Sequence, residues 1–92
     1  MKILQSAKFT TQIDEIIWYI AQDKRSAALR FAKELKKTIT ELKNFPYKYR
    51  ASYYYDDEHV RDMIFKGYTI IYRISTDTIE ILEIFNQNQP PK

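Results

Sequence analysis

The chain of 92 residues contains no cysteine, a single histidine and a single glycine. Without cysteine it can form neither a disulfide nor a thiolate metal site, and His59 alone excludes a multi-histidine site. We therefore expect neither a metal nor a cofactor. No apolar run approaches the ~20 residues that a transmembrane helix needs, and the N-terminus lacks the pattern of a signal peptide. The resulting expectation is a cytoplasmic protein that makes no membrane contact.

The sequence does contain enough apolar and aromatic surface for a folded core. Hydrophobic residues make up 45% of the chain and aromatic residues 15%, a composition that argues against intrinsic disorder. A length of 92 residues favours one domain. We therefore expect a single domain that spans residues 1–92.

Positive charge is concentrated in the middle of the chain. The formal net charge is only +3, but nine basic residues and two acidic ones lie between Lys24 and Arg50. This segment is either a solvated helix face that keeps a small protein soluble, or a surface that attracts an acidic peptide or a phosphate backbone. The sequence leaves both interpretations open.

The spacing of apolar residues predicts a short strand followed by a helix. Ile3-Leu4 is the strand candidate, and Ser6 is suited to cap the first helix. Trp18 and Tyr19 widen the apolar stripe of that helix. The stripe itself has helical period and consists of Phe9, Ile13, Ile16, Ile17 and Ile20.

A second amphipathic helix is predicted after the polar residues 22–25, with Ser26 as its N-cap. It should end near Asn44, because Pro46 disfavours helical geometry in the residue before it. Two such helices joined by about four residues form an antiparallel hairpin. The second stripe consists of Ala28, Phe31, Ala32, Leu35, Ile39 and Leu42.

Three apolar, β-branched and aromatic runs near the C-terminus predict a three-strand meander. They are Val60–Phe65, Tyr68–Ile74 and Ile79–Phe85, and the chain's one glycine marks a hairpin at Lys66-Gly67. The alternation of apolar and polar residues along the last run is imperfect around Glu83, which indicates a bulge or a strand buried on both faces. The expected fold class is α+β: an N-terminal strand and a two-helix antiparallel hairpin packed on a mainly antiparallel sheet with a C-terminal meander, in the order β-α-α-β-β-β.

The helices should cover one face of this sheet, and we expect the other face to stay free for a partner. If Arg61 and Arg73 project from that free face, they form a small positive spot flanked by tyrosines. The connector at residues 46–58 contains five tyrosines and is long for a structureless loop. It is either packed on the protein or an aromatic surface that awaits a partner.

The order of elements and the motifs along the chain resemble the RelE/ParE superfamily of toxins from type II toxin–antitoxin pairs. The resemblance covers nearly the whole chain, including a stretch of the first helix, Asp14–Ala21, and the pair Pro46 and Arg50 at its family spacing. The residues that carry it in the meander are Val60, Arg61, Gly67, Tyr68, Ile70, Tyr72, Ile74 and the run Ile79–Phe85.

Two branches of the superfamily imply different activities. RelE-like members cleave mRNA on the ribosome, which requires proton-transfer groups in the third strand and near the C-terminus. Here the third-strand position is Thr69 and the C-terminal positions 86–89 are amides, so most of that apparatus is missing. For a ribonuclease only Arg61, Arg73 and Tyr68 are left as candidate catalytic residues. The chain is more similar to ParE-like members, which bind and block DNA gyrase without catalysis.

The resemblance implies a cognate antitoxin as partner, DNA gyrase as target and an indirect contact with DNA through the antitoxin. A third possibility is a non-toxic module that only holds its partner repressor on DNA. The residues expected to bind the target or the antitoxin are Arg50, Arg61, Tyr68, Tyr72, Arg73, Phe85, Asn86 and Gln89.

Overall fold

A computed structural model describes residues 1–88, which form a five-stranded sheet and two helices. The strand order is β1-β5-β4-β3-β2, with β1 parallel to β5 and the other neighbours antiparallel. The expected α+β layout is confirmed, and a two-residue strand in the connector extends the sheet. The elements are β1 (Lys2–Gln5), α1 (Ala7–Asp23), α2 (Arg25–Glu41), β2 (Arg50–Ala51), β3 (Val60–Phe65), β4 (Tyr68–Ile74) and β5 (Thr78–Asn86).

The first helix begins where the sequence predicts, and the second begins earlier. The Ser6 hydroxyl accepts a hydrogen bond from the N–H of Phe9 at 3.0 Å, as an N-cap should. Ser26 as the second N-cap is wrong, because α2 starts at Arg25. The single extended residue Lys24 makes the turn: its N–H donates to Ile20 and its carbonyl accepts from Ala28. One residue therefore replaces the expected four-residue link.

The tight hairpin between β3 and β4 depends on the chain's one glycine. Lys66 and Gly67 have φ values of 48° and 84°, the pair of positive angles that a two-residue type I′ turn requires. The turn sets Phe65 opposite Tyr68 and fixes every later pairing of the two strands. In this way a local backbone preference determines which side chains share a face.

The hydrophobic core lies between the two helices and one face of the sheet. Along β4 this face carries Ile70, Tyr72 and Ile74, all buried, with half-buried Tyr68 at its start. The helices contribute their predicted stripes, so the core links both layers. Its members are Phe9, Ile13, Phe31, Leu35, Ile39, Leu42, Met63, Phe65, Ile70, Tyr72, Ile74, Ile79, Ile81 and Ile84.

A bulge in β5 explains the irregular alternation there, as the sequence indicated. Ile71 pairs with Glu83, whereas its neighbour Tyr72 pairs with Ile81, so Leu82 is the extra residue. The bulge lets Ile81 and Ile84 both face the helices, and it directs Glu83 to the opposite face. None of the helices within residues 1–88 is long and apolar enough to cross a membrane.

Candidate functional site

The centre of the second sheet face is covered by the protein's own connector, so the expectation of a free face is wrong there. The Tyr54 ring packs edge-on against Phe85 with ring centres 5.2 Å apart. Beneath the segment Tyr53–Tyr55, Ile71 and Thr69 are almost fully buried. The tyrosine-rich connector is therefore packed on the sheet, one of the two interpretations that the sequence allowed.

Two buried carboxylates hold this connector to the sheet. Asp62 is only 2% exposed; it accepts a hydrogen bond from the N–H of Tyr53 at 3.0 Å and lies 3.4 Å from the Arg50 guanidinium. Glu83 is 4% exposed and accepts from the Tyr55 hydroxyl at 2.7 Å. The cations Arg50 and Lys8, the latter 3.2 Å from Glu83, pair these buried charges. The hydrogen bonds from Tyr53 and Tyr55 then hold the connector to the sheet.

We expect the stability of the protein to fall in alkaline solution because of Tyr55. Its hydrogen bond to Glu83, aided by partial burial, raises the pKa of Tyr55 from 10.0 to about 12. The stabilisation from a raised pKa is complete below the unfolded value and is lost as pH rises through the folded one. Since the side chain is partly exposed, the loss should not exceed about 1 kcal/mol.

Urea unfolding from pH 9 to pH 12 measures this effect directly. Between pH 10 and pH 12 the free energy of unfolding of the wild type should fall more steeply than that of Tyr55→Phe, which lacks the titrating hydroxyl. Parallel pH profiles for the two proteins would show that the hydroxyl of Tyr55 does not stabilise the fold in this way.

Arg61 and Arg73 lie on opposite faces of the sheet, so the expected positive spot does not exist. Arg61 is paired with Tyr72 on the helix side, and Arg73 is paired with Val60 on the other side. Directly opposed residues in an antiparallel pair share a face. Arg61 is opposite Tyr72, the residue next to Arg73, and adjacent residues of a strand point to opposite faces. The Arg73 guanidinium instead lies 3.7 Å from the Glu80 carboxylate.

Arg61 holds the two ends of the connector. Its guanidinium donates to the carbonyl of Glu58 at 3.0 Å and to that of Tyr49 at 3.2 Å. It also lies 4.8 Å from the ring centre of Tyr47, a cation–π distance. Two carbonyls from distant parts of the loop thus converge on one side chain, which indicates a structural role.

Tyr72 is buried and its hydroxyl donates to the carbonyl of Pro46 at 2.6 Å. Burial raises the pKa of Tyr72 above its ordinary value, so the hydroxyl stays protonated into alkaline solution. Arg50 is exposed at the sheet edge and stacks on Tyr53 at 4.2 Å. Neither Tyr72 nor Arg50 lines the groove that brings other predicted residues together.

Three of the predicted residues do come together, in a groove between α1 and the end of β5. We call this the α1–β5 groove; it has a volume of about 530 Å³. It forms because β1 ends opposite Ile81, so the rest of β5 has a neighbouring strand only on its β4 side. Its lining residues are Gln12, Glu15, Ile16, Tyr19, Tyr68, Ile84, Phe85 and Asn86.

Side chains from the start of α1 fix the geometry of this groove. The Gln12 amide oxygen accepts from the N–H of Ile84 at 2.8 Å, and the Ser6 hydroxyl donates to the carbonyl of Leu82 at 2.6 Å. Tyr68 packs edge-on against Phe31, with ring centres 5.6 Å apart. These contacts hold α1 against the edge of β5 and set the distance between the two walls of the groove.

The chemistry of the groove suits a protein surface. Its lining contains three aromatic rings, two amides and one carboxylate, and none of the eight residues is lysine, arginine or histidine. A groove whose one charged residue is Glu15 repels phosphate. Sequence reasoning missed Tyr19, which is 73% exposed; the signal was an aromatic residue at the rim of the apolar stripe. Gln89 lies outside the described residues.

Comparison with known families places this chain in a family. The family model described as ParE toxin of type II toxin-antitoxin system, parDE, matches residues 3–91. The chain belongs to the ParE toxin family. A search of curated proteins found no significant match.

A solved structure shares the fold of this ParE-family chain. It is the chromosomal ParDE TA system from P. aeruginosa, which matches with a TM-score of 0.76 at 19% identity, over 94% of this chain and 95% of that chain. At such low identity the likeness concerns the fold alone.

The residues that could serve a ribonuclease are dispersed in this ParE-family chain. Tyr68 and Arg73 lie five residues apart on β4, a separation of about 17 Å along an extended strand. Arg61 is on the helix side, bound to connector carbonyls. General acid–base chemistry requires groups within hydrogen-bond reach of one substrate, and these three do not converge on one cleft.

Proposed function

We propose that this protein is the toxin of a type II pair, that it inhibits growth by binding DNA gyrase, and that a cognate antitoxin neutralises it. Family membership supports the toxin assignment. The observation that carries the choice of a protein target is the α1–β5 groove, which presents aromatic rings and amides without a single cation. Such a surface is suited to protein recognition, and it disfavours a phosphodiester substrate.

Neutralisation requires only that the antitoxin and gyrase compete for overlapping surface. The groove is open and lies beside the end of β5 that no strand flanks on the α1 side, so an antitoxin segment bound there would exclude a second protein. Both proposed partners act in the cytoplasm. A short neighbouring reading frame that encodes a DNA-binding domain with an acidic, disordered tail would be the expected antitoxin gene.

A supercoiling assay with purified protein tests the proposal. We expect the full chain to block gyrase supercoiling of relaxed plasmid, and to leave the mRNA intact in a parallel translation reaction. The purified antitoxin, added in equimolar amount, should restore supercoiling. Because binding alone suffices, inhibition should follow occupancy and should not need turnover.

Two results would contradict this function and would point to the alternatives. Cuts mapped to ribosomal A-site codons, with gyrase unaffected, would identify an mRNA endonuclease. Normal growth during expression without antitoxin, together with intact supercoiling, would identify a non-toxic module that acts only with its repressor.

A further inference from the structure

The outer surface of α2 carries a stripe of three cations that the groove and its function do not use. Arg30, Lys33 and Lys37 follow each other at steps of three and four residues, so they share one side of the helix. That side is opposite the buried stripe of Phe31, Leu35 and Ile39, as the exposure of all three cations confirms. We call these three residues the α2 stripe.

The α2 stripe has no close ionic partner within residues 1–88. None of the ion pairs of the described chain involves Arg30, Lys33 or Lys37. The acid next to them on α2, Glu34, is paired with Lys66 on the β3–β4 turn, and Arg30 attracts it more weakly. Outside the segment 24–50 the chain has six basic and ten acidic residues, so the excess of positive charge lies in the segment that contains α2.

We propose that the α2 stripe binds the phosphate backbone of duplex DNA. When a protein cation neutralises a phosphate, condensed counterions leave the DNA, and their release favours binding. Isolated carboxylates do not offer this contribution to the free energy of binding. An exposed pair between lysine or arginine and a carboxylate contributes less than about 1 kcal/mol and is screened by salt. Three exposed cations on a convex helix therefore gain more from a polyphosphate than from an acidic peptide.

The spacing of the stripe is compatible with a duplex. Arg30 and Lys37 are seven residues apart, or about 10 Å along the helix axis. This length is close to the ~12 Å width of the major groove, so the long side chains at both ends can reach phosphates while Lys33 lies between them. The choice of duplex DNA over RNA rests on the proposed function, because gyrase and a repressor-type antitoxin are both bound to duplex DNA.

Salt-dependent binding to a fluorescent duplex of about 20 bp tests the proposal without gyrase or antitoxin. Three phosphate contacts predict a slope of log K against log salt of about −2.7, with weak, sequence-independent affinity. The variant Arg30→Gln/Lys33→Gln/Lys37→Gln should lose that slope almost entirely. Circular dichroism should show an unchanged fold, since all three side chains are exposed.

The matched control removes the same three charges elsewhere, as Lys2→Gln/Lys24→Gln/Lys48→Gln, from exposed positions off the stripe. It should keep the wild-type slope. An equal loss of slope in both triple variants would overturn the proposal, because the net charge of the protein would then explain binding. Tighter binding to a polyglutamate or to a single-stranded RNA of equal length would also overturn it. Failure here leaves the supercoiling result untouched, so the two proposals are separable.

Discussion

Replacing Tyr19 by alanine is expected to raise the protein concentration needed for half-inhibition of gyrase at least about 30-fold, a loss of about 2 kcal/mol. Tyr19 contributes the α1 wall of the α1–β5 groove and exposes 73% of its surface. Aromatic side chains at such positions supply large contact area at low entropic cost. Because the ring packs on nothing essential for folding, the thermal unfolding midpoint should stay close to that of the wild type.

Trp18→Ala is the matched control for this experiment. Trp18 is the preceding residue on the same helix, is 66% exposed and does not line the groove. Each variant removes one exposed aromatic ring. The two side chains differ chiefly in the direction in which they project from the helix. Full inhibition by Tyr19→Ala, or a greater loss with Trp18→Ala, would show that gyrase does not bind in the groove.

Arg61→Ala is expected to lower the free energy of unfolding by about 2–4 kcal/mol, since hydrogen bonds to charged groups contribute about 1.5–3 kcal/mol each. Arg61 makes two such bonds, to the carbonyls of Tyr49 and Glu58, and stacks on Tyr47. Its removal leaves both carbonyls without this donor and loosens the connector that covers the second sheet face. Urea unfolding monitored by circular dichroism measures the change.

Arg73→Ala provides the comparison, because both arginines lie on neighbouring strands and both are candidates from the sequence. Arg73 makes one partly exposed ion pair, at 3.7 Å from Glu80, so its removal should cost less than about 1 kcal/mol. Arg61→Lys keeps the charge, but lysine has no planar fork that reaches two carbonyls. This variant should therefore lose most of the stability that Arg61 contributes. Wild-type stability of Arg61→Ala combined with lost gyrase inhibition would make Arg61 a binding residue instead.

The faces of the two arginines could have been obtained from the sequence. A two-residue turn at Lys66-Gly67 places Phe65 opposite Tyr68, and counting back along both strands places Arg61 opposite Tyr72. Side chains alternate along a strand, so Arg73 must then face the other way. The turn therefore specifies the face of each arginine.

The path of the connector could not have been obtained in this way. Tyr55 reaches Glu83, 28 residues later in the sequence, and the contact exists only because Leu82 is the bulged residue that turns Glu83 to the second face. No local propensity specifies such a pairing, since it depends on a register shift between distant strands.

The sequence by itself determined the helices, the meander, the hairpin turn and the exclusion of thiolate and multi-histidine metal sites, because periodicity, glycine conformation and composition are local properties. The tertiary structure alone decided which surfaces are available to partners. It buried the second face under tyrosines, assigned Arg61 to the connector and brought Tyr19 beside Tyr68, Phe85 and Asn86. Those outcomes depend on how packed layers and strand ends meet in space, which no single segment encodes.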